Sequence, residues 1–376
     1  MTLALLGLLT LGVLMFITYI GDAYRTQIGR ARKRVATGGQ MLETARSQIE
    51  YAERGEGPSV LVIHGAGGGC DQGLDLAESL VQRGFRAIAV SRFGYLRTPL
   101  PQDASPAAQA DAHAAVLDAL EIPRCAVLGA SAGGPSAVQL ALRHPDRVTA
   151  LVLMVPALYA PRPTELTSPQ RMSALGRVLM DLTLRSDFLF WLALRLAPKA
   201  MTRMILGTPP ALLTHADPLE RERLHVVMEH ILPVSERRLG LINDGAVIPA
   251  LTRFDLERVE APTLIISAQD CLYQTFAGSQ YSAEHIPGAR FIGYQSGGHL
   301  LVGHQQEITA EVVTFLRAAQ EARTVRAVRA VEAVGAVGRS GGRAVRRSGG
   351  QEHDGLGTLL RDGLIQSPSQ TTRPIT

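Results

Sequence analysis

Apolar residues follow three rhythms along this chain, and each predicts a different kind of element. Residues 3–20, LALLGLLTLGVLMFITYI, are continuously apolar, with Thr10 and Thr18 as the only polar side chains. Wound as helix at about 1.5 Å per residue, the run is roughly 27 Å long, close to the thickness of bilayer hydrocarbon. From residue 48 onward, short β-branched runs alternate with stretches of helical spacing. Strands are predicted at 48–52, 59–63, 86–90, 125–128, 150–155, 263–267 and 290–293. Helices are predicted around 74–83 and 106–120, from the glycine turn after Leu128 to about Arg143, and over 307–319. Buried strands alternating with helices of this length predict an α/β fold, a doubly wound and mostly parallel sheet with helices on both faces. Residues 157–256 break the alternation and read as several helices jointed at Pro161, Pro163, Pro209 and Pro210. Such an insertion is expected to cap the C-terminal edge of the sheet, where open α/β sheets bind ligands.

The expected organisation is therefore a transmembrane anchor (1–21), a basic juxtamembrane linker (22–47), a core in two pieces (48–156 and 257–320), a helical cap (157–256) and a tail (321–376). The tail repeats Arg-Ala-Val units and ends in Ser, Thr and Pro, a composition expected to be disordered, with room for helix before Gly335. A cleaved signal peptide is the rival reading of residues 3–20. It would place basic residues before the apolar run and a small-x-small site after it. Here no Lys or Arg precedes the run, and Gly21-Asp22-Ala23-Tyr24 follows it. The basic flank lies on the C-terminal side, so the positive-inside rule places the following domain in the cytoplasm as a single-pass membrane protein.

With 46% apolar and 19% charged residues, the chain can bury a large core, which excludes wholesale disorder. Three cysteines exclude a disulfide scaffold, and no C-x-x-C pair suggests a zinc site; the serine chemistry read below calls for neither metal nor organic cofactor. The net charge of +4 and pI near 9.1 resemble those of a nucleic-acid binder until the charges are placed. Arg25, Arg30, Arg32, Lys33 and Arg34 sit at one end and seven Arg within 321–350 near the other, leaving 37–320 net acidic. No nucleic-acid partner is expected. The lipid bilayer, through residues 3–20, is. The Arg run of the tail could touch anionic lipid, although a solvated tail without a partner is the plainer reading.

The sharpest chemical signal is Gly129-Ala130-Ser131-Ala132-Gly133, placed after a strand and before a helix. A G-x-S-x-G turn of this kind presents the serine hydroxyl on a strained elbow, with small neighbours that let the backbone take that shape. A serine of ordinary pKa needs a base, and the base needs a group to orient it. Asp270 follows one later strand in Ser267-Ala268-Gln269-Asp270, and His299 follows the next in Ser296-Gly297-Gly298-His299. His304 competes with His299, although it reads as structural at the start of the last helix. Asp244, in Asn243-Asp244-Gly245, competes with Asp270 but reads as a turn and precedes the right strand. His64-Gly65-Ala66-Gly67-Gly68-Gly69 follows an early strand, and its glycines suit backbone N–H groups that approach an oxyanion. Ala66 N–H and Ala132 N–H are the expected donors, with His64, Gly65 and Gly67 supporting the loop. A phosphate loop is the rival, but no G-K-[S/T] follows and G-x-G-x-x-G is absent. Cys70 and Cys271 lie beside the oxyanion loop and the acid, and Cys125 lies on a strand.

On these motifs, residues from about 48 to 319 resemble the α/β-hydrolase superfamily, and are similar to its capped, single-domain enol-lactonase-like and haloperoxidase-like esterases. HGAGGG resembles the oxyanion loop, GASAGG the nucleophile elbow, SAQD the acid loop, GGHLLVGH the histidine loop, and His144-Pro145-Asp146-Arg147-Val148 a common family stretch. The resemblance implies Ser131 as nucleophile, Asp270 as acid and His299 as base. One loop departs from the pattern. Where many members carry D-x-x-G-x-G-x-S, this chain has Ser91-Arg92-Phe93-Gly94-Tyr95-Leu96-Arg97-Thr98, which leaves the substrate class open. The expected activity is hydrolysis of a carboxylic ester or lactone, and the expected partner a small substrate with a hydrophobic acyl part. Asp187-Phe188-Leu189-Phe190-Trp191-Leu192 in the cap could line its pocket, although such a stripe more often packs a core. The same residues could serve C–C bond hydrolysis, acyl transfer or perhydrolysis, and a non-catalytic ligand-binding protein on this fold is the alternative of a different class.

Overall fold

The computed structural model describes residues 2–161 and 181–344. The Pro163 joint with the cap stretch 162–180, and the tail from 345 to 376, lie outside the described residues. The chain divides into two compact units, 1–321 and 322–376.

The first unit opens with one helix, α1 (Thr2–Gly38). Strands β1 (Gln40–Glu43), β2 (Gln48–Arg54), β3 (Ser59–Ile63), β4 (Arg86–Val90), β5 (Cys125–Ala130), β6 (Val148–Met154), β7 (Thr263–Ala268) and β8 (Arg290–Tyr294) form a single sheet in the order β1-β2-β4-β3-β5-β6-β7-β8. β1 pairs antiparallel with β2, and β2 with β4; every other pairing is parallel. β1 went unpredicted because its exposed QMLE has no apolar alternation to mark it. Side chains of the central strands point alternately to the two faces. Leu61, Ile63, Ile88, Val90 and Val127 pack on α3 (Pro106–Ala119) and α4 (Gly134–Arg143). Val60, Val62, Ala87, Ala89 and Leu128 pack on α2 (Cys70–Val81) and on Ile308, Val312 and Leu316 of the last helix, Gln305–Ala344. α3 starts where its sequence dictates: the Ser105 hydroxyl accepts the Ala108 N–H at 3.2 Å, and Pro106 takes the first helical position.

Two expectations about organisation change, and the plainer reading of the cap aromatics holds. The linker expected at 22–47 is helix as far as Gly38, and α1 is therefore one rod rather than an anchor and a tether. Its first part is bare, with Leu5, Leu8 and Phe16 more than 60% exposed. Its second part docks on the cap, where Ile28 and Ala31 are buried among Phe190, Trp191, Met201, Ile231 and Leu232. The cap stretch that holds the only Trp is thus packing core beneath α1, not pocket wall. Trp191 Nε1 donates to Gln27 Oε1 at 2.6 Å, and Tyr24 meets the Phe188 and Trp191 rings edge-on. In the second unit, residues expected to lie in a disordered tail are helical through Ala344.

Candidate active site

β5 ends at Ala130, and Ser131 follows with φ +49°, a conformation that costs a non-glycine residue about 1–3 kcal/mol. Close packing behind the serine holds it there. A Cβ on Gly133 would lie 2.5 Å from the Ile63 carbonyl oxygen and 2.7 Å from that of His64, so only glycine lets the elbow rest against the end of β3. The Ser131 carbonyl also accepts the Ala157 N–H at 2.9 Å, which ties the elbow to the chain leaving β6. Gly133→Ala is expected to displace the elbow and slow reaction of Ser131 with a fluorophosphonate probe about 100-fold, with helical content by circular dichroism unchanged.

The loop after β8 brings His299 to the serine, with Nε2 2.8 Å from Ser131 Oγ. The ring is buried, and burial lowers its pKa from 6.5 to about 4, so it is neutral and able to accept a proton at neutral pH. The edge of Tyr273 closes one side at 4.8 Å between ring centroids. His304, the sequence competitor, is elsewhere: its Nε2 faces the Ser296 carbonyl at 3.0 Å and its ring stacks on Tyr294.

The expected acid is not on the histidine ring. Asp270 Oδ1 accepts Gly298 N–H at 2.7 Å, and Oδ2 accepts Gly297 N–H at 3.3 Å and the Ser296 hydroxyl at 3.1 Å. Its carboxylate holds the backbone of the histidine loop. The neighbour of His299 Nδ1 is Cys271, with Sγ at 3.2 Å. The reason is local: beyond β7 the chain turns through Gln269 and Asp270, and the next side chain along, not Asp270, points inward. Asp244 does not stand in as the acid either. It lies inside the cap helix Arg238–Val247 rather than in the turn its sequence suggested, and is ion-paired with Arg92.

His64–Gly69 covers the serine from the β3 side. Gly65 comes so near that a Cβ there would sit 3.0 Å from Ser131 Cβ. Ala66 N–H donates to no partner in the loop, and Ala132 lies in the first turn after the elbow, where helical N–H groups have no acceptor behind them. His64 is fixed as the Nδ1–H tautomer, with Nδ1 2.6 Å from the Gly65 carbonyl and Nε2 accepting Arg92 N–H at 3.0 Å. Burial, then the Arg92 charge, hold its pKa well below the usual histidine value, so it stays neutral.

The departure at Ser91–Thr98 supplies the supports that sequence reasoning missed. Arg92 is buried and reaches the His64 carbonyl at 2.9 Å and both oxygens of Asp244 at 2.8 and 2.6 Å. Tyr95 donates to Asp244 Oδ2 at 2.5 Å and receives Gly67 N–H at 3.3 Å. A core loop, a cap helix and the oxyanion loop are thereby joined by one buried network. The carboxylate absent at position 91 comes instead from Glu50 on β2, which accepts the Ser91 hydroxyl at 2.9 Å and Arg97 Nε at 2.8 Å. Arg237 of the cap makes a second tie, donating to the Gly68 carbonyl at 2.5 Å and to Asp71 Oδ2 at 2.7 Å. Asp71 also accepts from Arg34 of α1 at 3.2 Å. Only the charges of these residues could have hinted at the pairs, and charge alone names no partner.

Among the described residues no group of three His, Cys, Asp or Glu side chains is placed to hold a metal ion. A cleft of about 520 Å³ lined by Asp111, Arg143, His144 and Arg253 shares no residue with the site; Asp111 pairs there with Arg143 and His144, and Arg253 with Glu257. The site's own walls are apolar where the cap meets the loop, with Ile231 and Leu241 facing Gly67.

A parallel sheet with a strained serine at the C-terminal end of β5, and a histidine delivered after β8, defines a hydrolase architecture. The family described as alpha/beta hydrolase fold matches residues 58–303, and this chain belongs to it. An uncharacterized hydrolase from Bacillus subtilis, YcgS, is 27% identical over 265 residues, 67% of this chain and 88% of that protein. A 2-hydroxy-6-oxononadienedioate/2-hydroxy-6-oxononatrienedioate hydrolase from Paraburkholderia xenovorans is 36% identical over 129 residues, 31% of this chain and 45% of that enzyme. The solved α/β-hydrolase fold protein from Nakamurella multipartita superposes with a TM-score of 0.56 at 29% identity, over 74% of this chain and 99% of that one. The protein is a hydrolase of this fold, with C–C bond hydrolases among its relatives in sequence.

Proposed function

We propose that this protein is a membrane-anchored serine hydrolase that cleaves a carboxylic ester or lactone with a hydrophobic acyl part. The observation that carries the reading is the 2.8 Å contact between Ser131 Oγ and a neutral, buried His299 Nε2 on a strained elbow. Ser131 Oγ attacks the acyl carbon while His299 Nε2 takes its proton, and the carbonyl oxygen becomes an oxyanion held by Ala66 and Ala132 N–H. Collapse of this intermediate expels the alkoxide, which takes the proton from His299 and leaves an acyl-enzyme. Water repeats the sequence and releases the acid.

Residues 3–20 are read as the anchor: α1 is long and apolar enough to cross a bilayer, and its apolar side chains from Leu5 onward are exposed. The basic residues that follow favour a cytoplasmic domain. Ile28, where α1 meets the cap, is eight residues beyond Ile20, about 12 Å along the helix. A cap held that near the bilayer, with Ile231 and Leu241 at the oxyanion loop, favours a substrate that partitions into membrane.

The 36% identity to the oxononadienedioate hydrolase supports a second reading, C–C bond hydrolysis by the same serine and histidine. Labelling by a fluorophosphonate probe tests the shared premise, with full-length wild type and Ser131→Ala in detergent, because removing α1 would uncover the cap core. Labelling of wild type alone is expected. Turnover of medium-chain esters, lactones and a 2-hydroxy-6-oxo-dienoate then separates the two readings. A folded wild type that neither labels nor turns over any of these would sink both and favour a ligand-binding protein.

A further inference from the structure

The groups around His299 raise a question that the serine hydrolase reading leaves open: what holds the far side of the base. The ring touches Ser131 of the elbow, Cys271 and Tyr273 of the loop after β7, and little else that is polar. The Tyr273 hydroxyl is turned away, donating to the Met204 and Ile205 carbonyls at 2.7 and 2.9 Å. From the cap, Gly207 offers only its carbonyl to His299 N–H, at 3.4 Å, and the Thr208 hydroxyl receives Leu300 N–H. The nearby charges are spent elsewhere. Asp270 is bound by the backbone of Gly297 and Gly298, and Glu220 by Gly303 N–H and Arg223, which also donates to the Leu300 carbonyl. No carboxylate acts on the imidazole, and burial is the one cause of its lowered pKa.

We infer that Cys271 is the positioning residue for the base, its sulfur accepting the hydrogen bond from His299 Nδ1–H, while Asp270 acts only as a clasp on the histidine loop. The inference rests on the Ser131–His299 reading above and replaces its third member. For Nε2 to receive the serine proton, Nδ1 must carry hydrogen, and Sγ at 3.2 Å is the acceptor in place. The Thr275 hydroxyl donates to the same sulfur at 3.2 Å and is itself 3.3 Å from Ser267 Oγ, so two donors converge on Sγ. An acceptor without formal charge fixes the tautomer, as a carboxylate would, but stabilises the imidazolium far less. The base then remains neutral to lower pH, and the reaction gives up part of the electrostatic help that an acidic partner supplies.

The test follows His299 directly, by NMR titration of the full-length chain in detergent with 13C-labelled histidine rings, assigned with His299→Gln. Fluorophosphonate labelling is measured in parallel from about pH 3 to about pH 9. In wild type the ring is expected to titrate near pH 4, and Cys271→Ser, with an uncharged acceptor, to keep it low. Cys271→Asp places a carboxylate on Nδ1 and is expected to raise the titration by about one to three units. The labelling plateau should rise about tenfold in the same variant. Asp270→Asn is expected to slow labelling by loosening the loop while leaving the titration of His299 in place.

The inference is overturned if wild-type His299 titrates at or above about pH 6.5, if Asp270→Asn lowers its titration, or if a folded Cys271→Asp leaves it unmoved. The wild-type and Asp270→Asn titrations decide the matter even if Cys271→Asp does not fold. A wild type that titrates near pH 4, rises with Cys271→Asp and yet never labels would support the pairing and remove the serine hydrolase reading instead.

Discussion

Alanine at Ser131 or at His299 is expected to lower kcat/KM for the protein's best ester by roughly 10⁴- to 10⁶-fold, and the double variant to fall no further than the worse single one. The two side chains act as one device. Without the imidazole, the serine keeps its ordinary pKa and has no acceptor for its proton; without the hydroxyl, the imidazole has no nucleophile to activate. What survives is the catalysis supplied by the proposed oxyanion donors and by substrate binding, roughly 10³- to 10⁴-fold over water. Single and double variants compared on one ester provide the measurement, with thermal unfolding run alongside. Losses that add between the two sites would mean that the 2.8 Å contact is not used in the reaction. Little stability should be lost with Ser131→Ala, because it keeps a small side chain at a positive φ.

Arg92→Ala and Asp244→Ala are each expected to destabilise the protein by about 3–5 kcal/mol, because each leaves the other charge buried and unpaired. Both side chains are under one tenth exposed, and their bidentate contact at 2.8 and 2.6 Å lies between core and cap. Replacing both by Met and Leu should recover much of that stability, since a well-packed apolar pair carries no desolvation penalty. Activity should not recover with it. Arg92 Nε holds the His64 carbonyl, and Asp244 holds the Tyr95 hydroxyl that receives Gly67 N–H. The apolar pair fills the space without aiming the loop. Urea unfolding combined with the labelling rate separates the two effects, and a double variant that is both stable and fully reactive would refute the positioning role of this network.

The core strands were legible because each short apolar run is bounded by a glycine or a turn. Ser59–Ile63 and Arg86–Val90 fall where the β-branched runs place them, and the elbow at Ser131 follows from the small residues that flank it. His299 was legible for a similar reason, as the one histidine in a glycine turn after a late strand. The contact on His299 Nδ1 was not legible. Asp270 has the right residue type and the right loop, but beyond the last paired residue of β7 no ladder fixes which side chain faces inward, and the turn gives that place to Cys271. Asp244 was misread because Asn-Asp-Gly favours turns locally, whereas packing of the cap over Arg92 holds it in a helix. The cap aromatics were an open choice between pocket and core until α1 was found lying over them.

By itself, then, the sequence determined whatever depends on neighbours along the chain: the hydrophobic rhythm of the strands, the apolar length of the first helix, the strained serine turn and the order of the motifs. Only the tertiary structure decided which side chain meets the far nitrogen of His299, which charges pair across the cap, and where the second half of α1 rests. These contacts join residues more than a hundred positions apart, or turn on a single rotation of the backbone outside any ladder. Their energies come from burial and from completing buried charges, terms that local propensity does not contain.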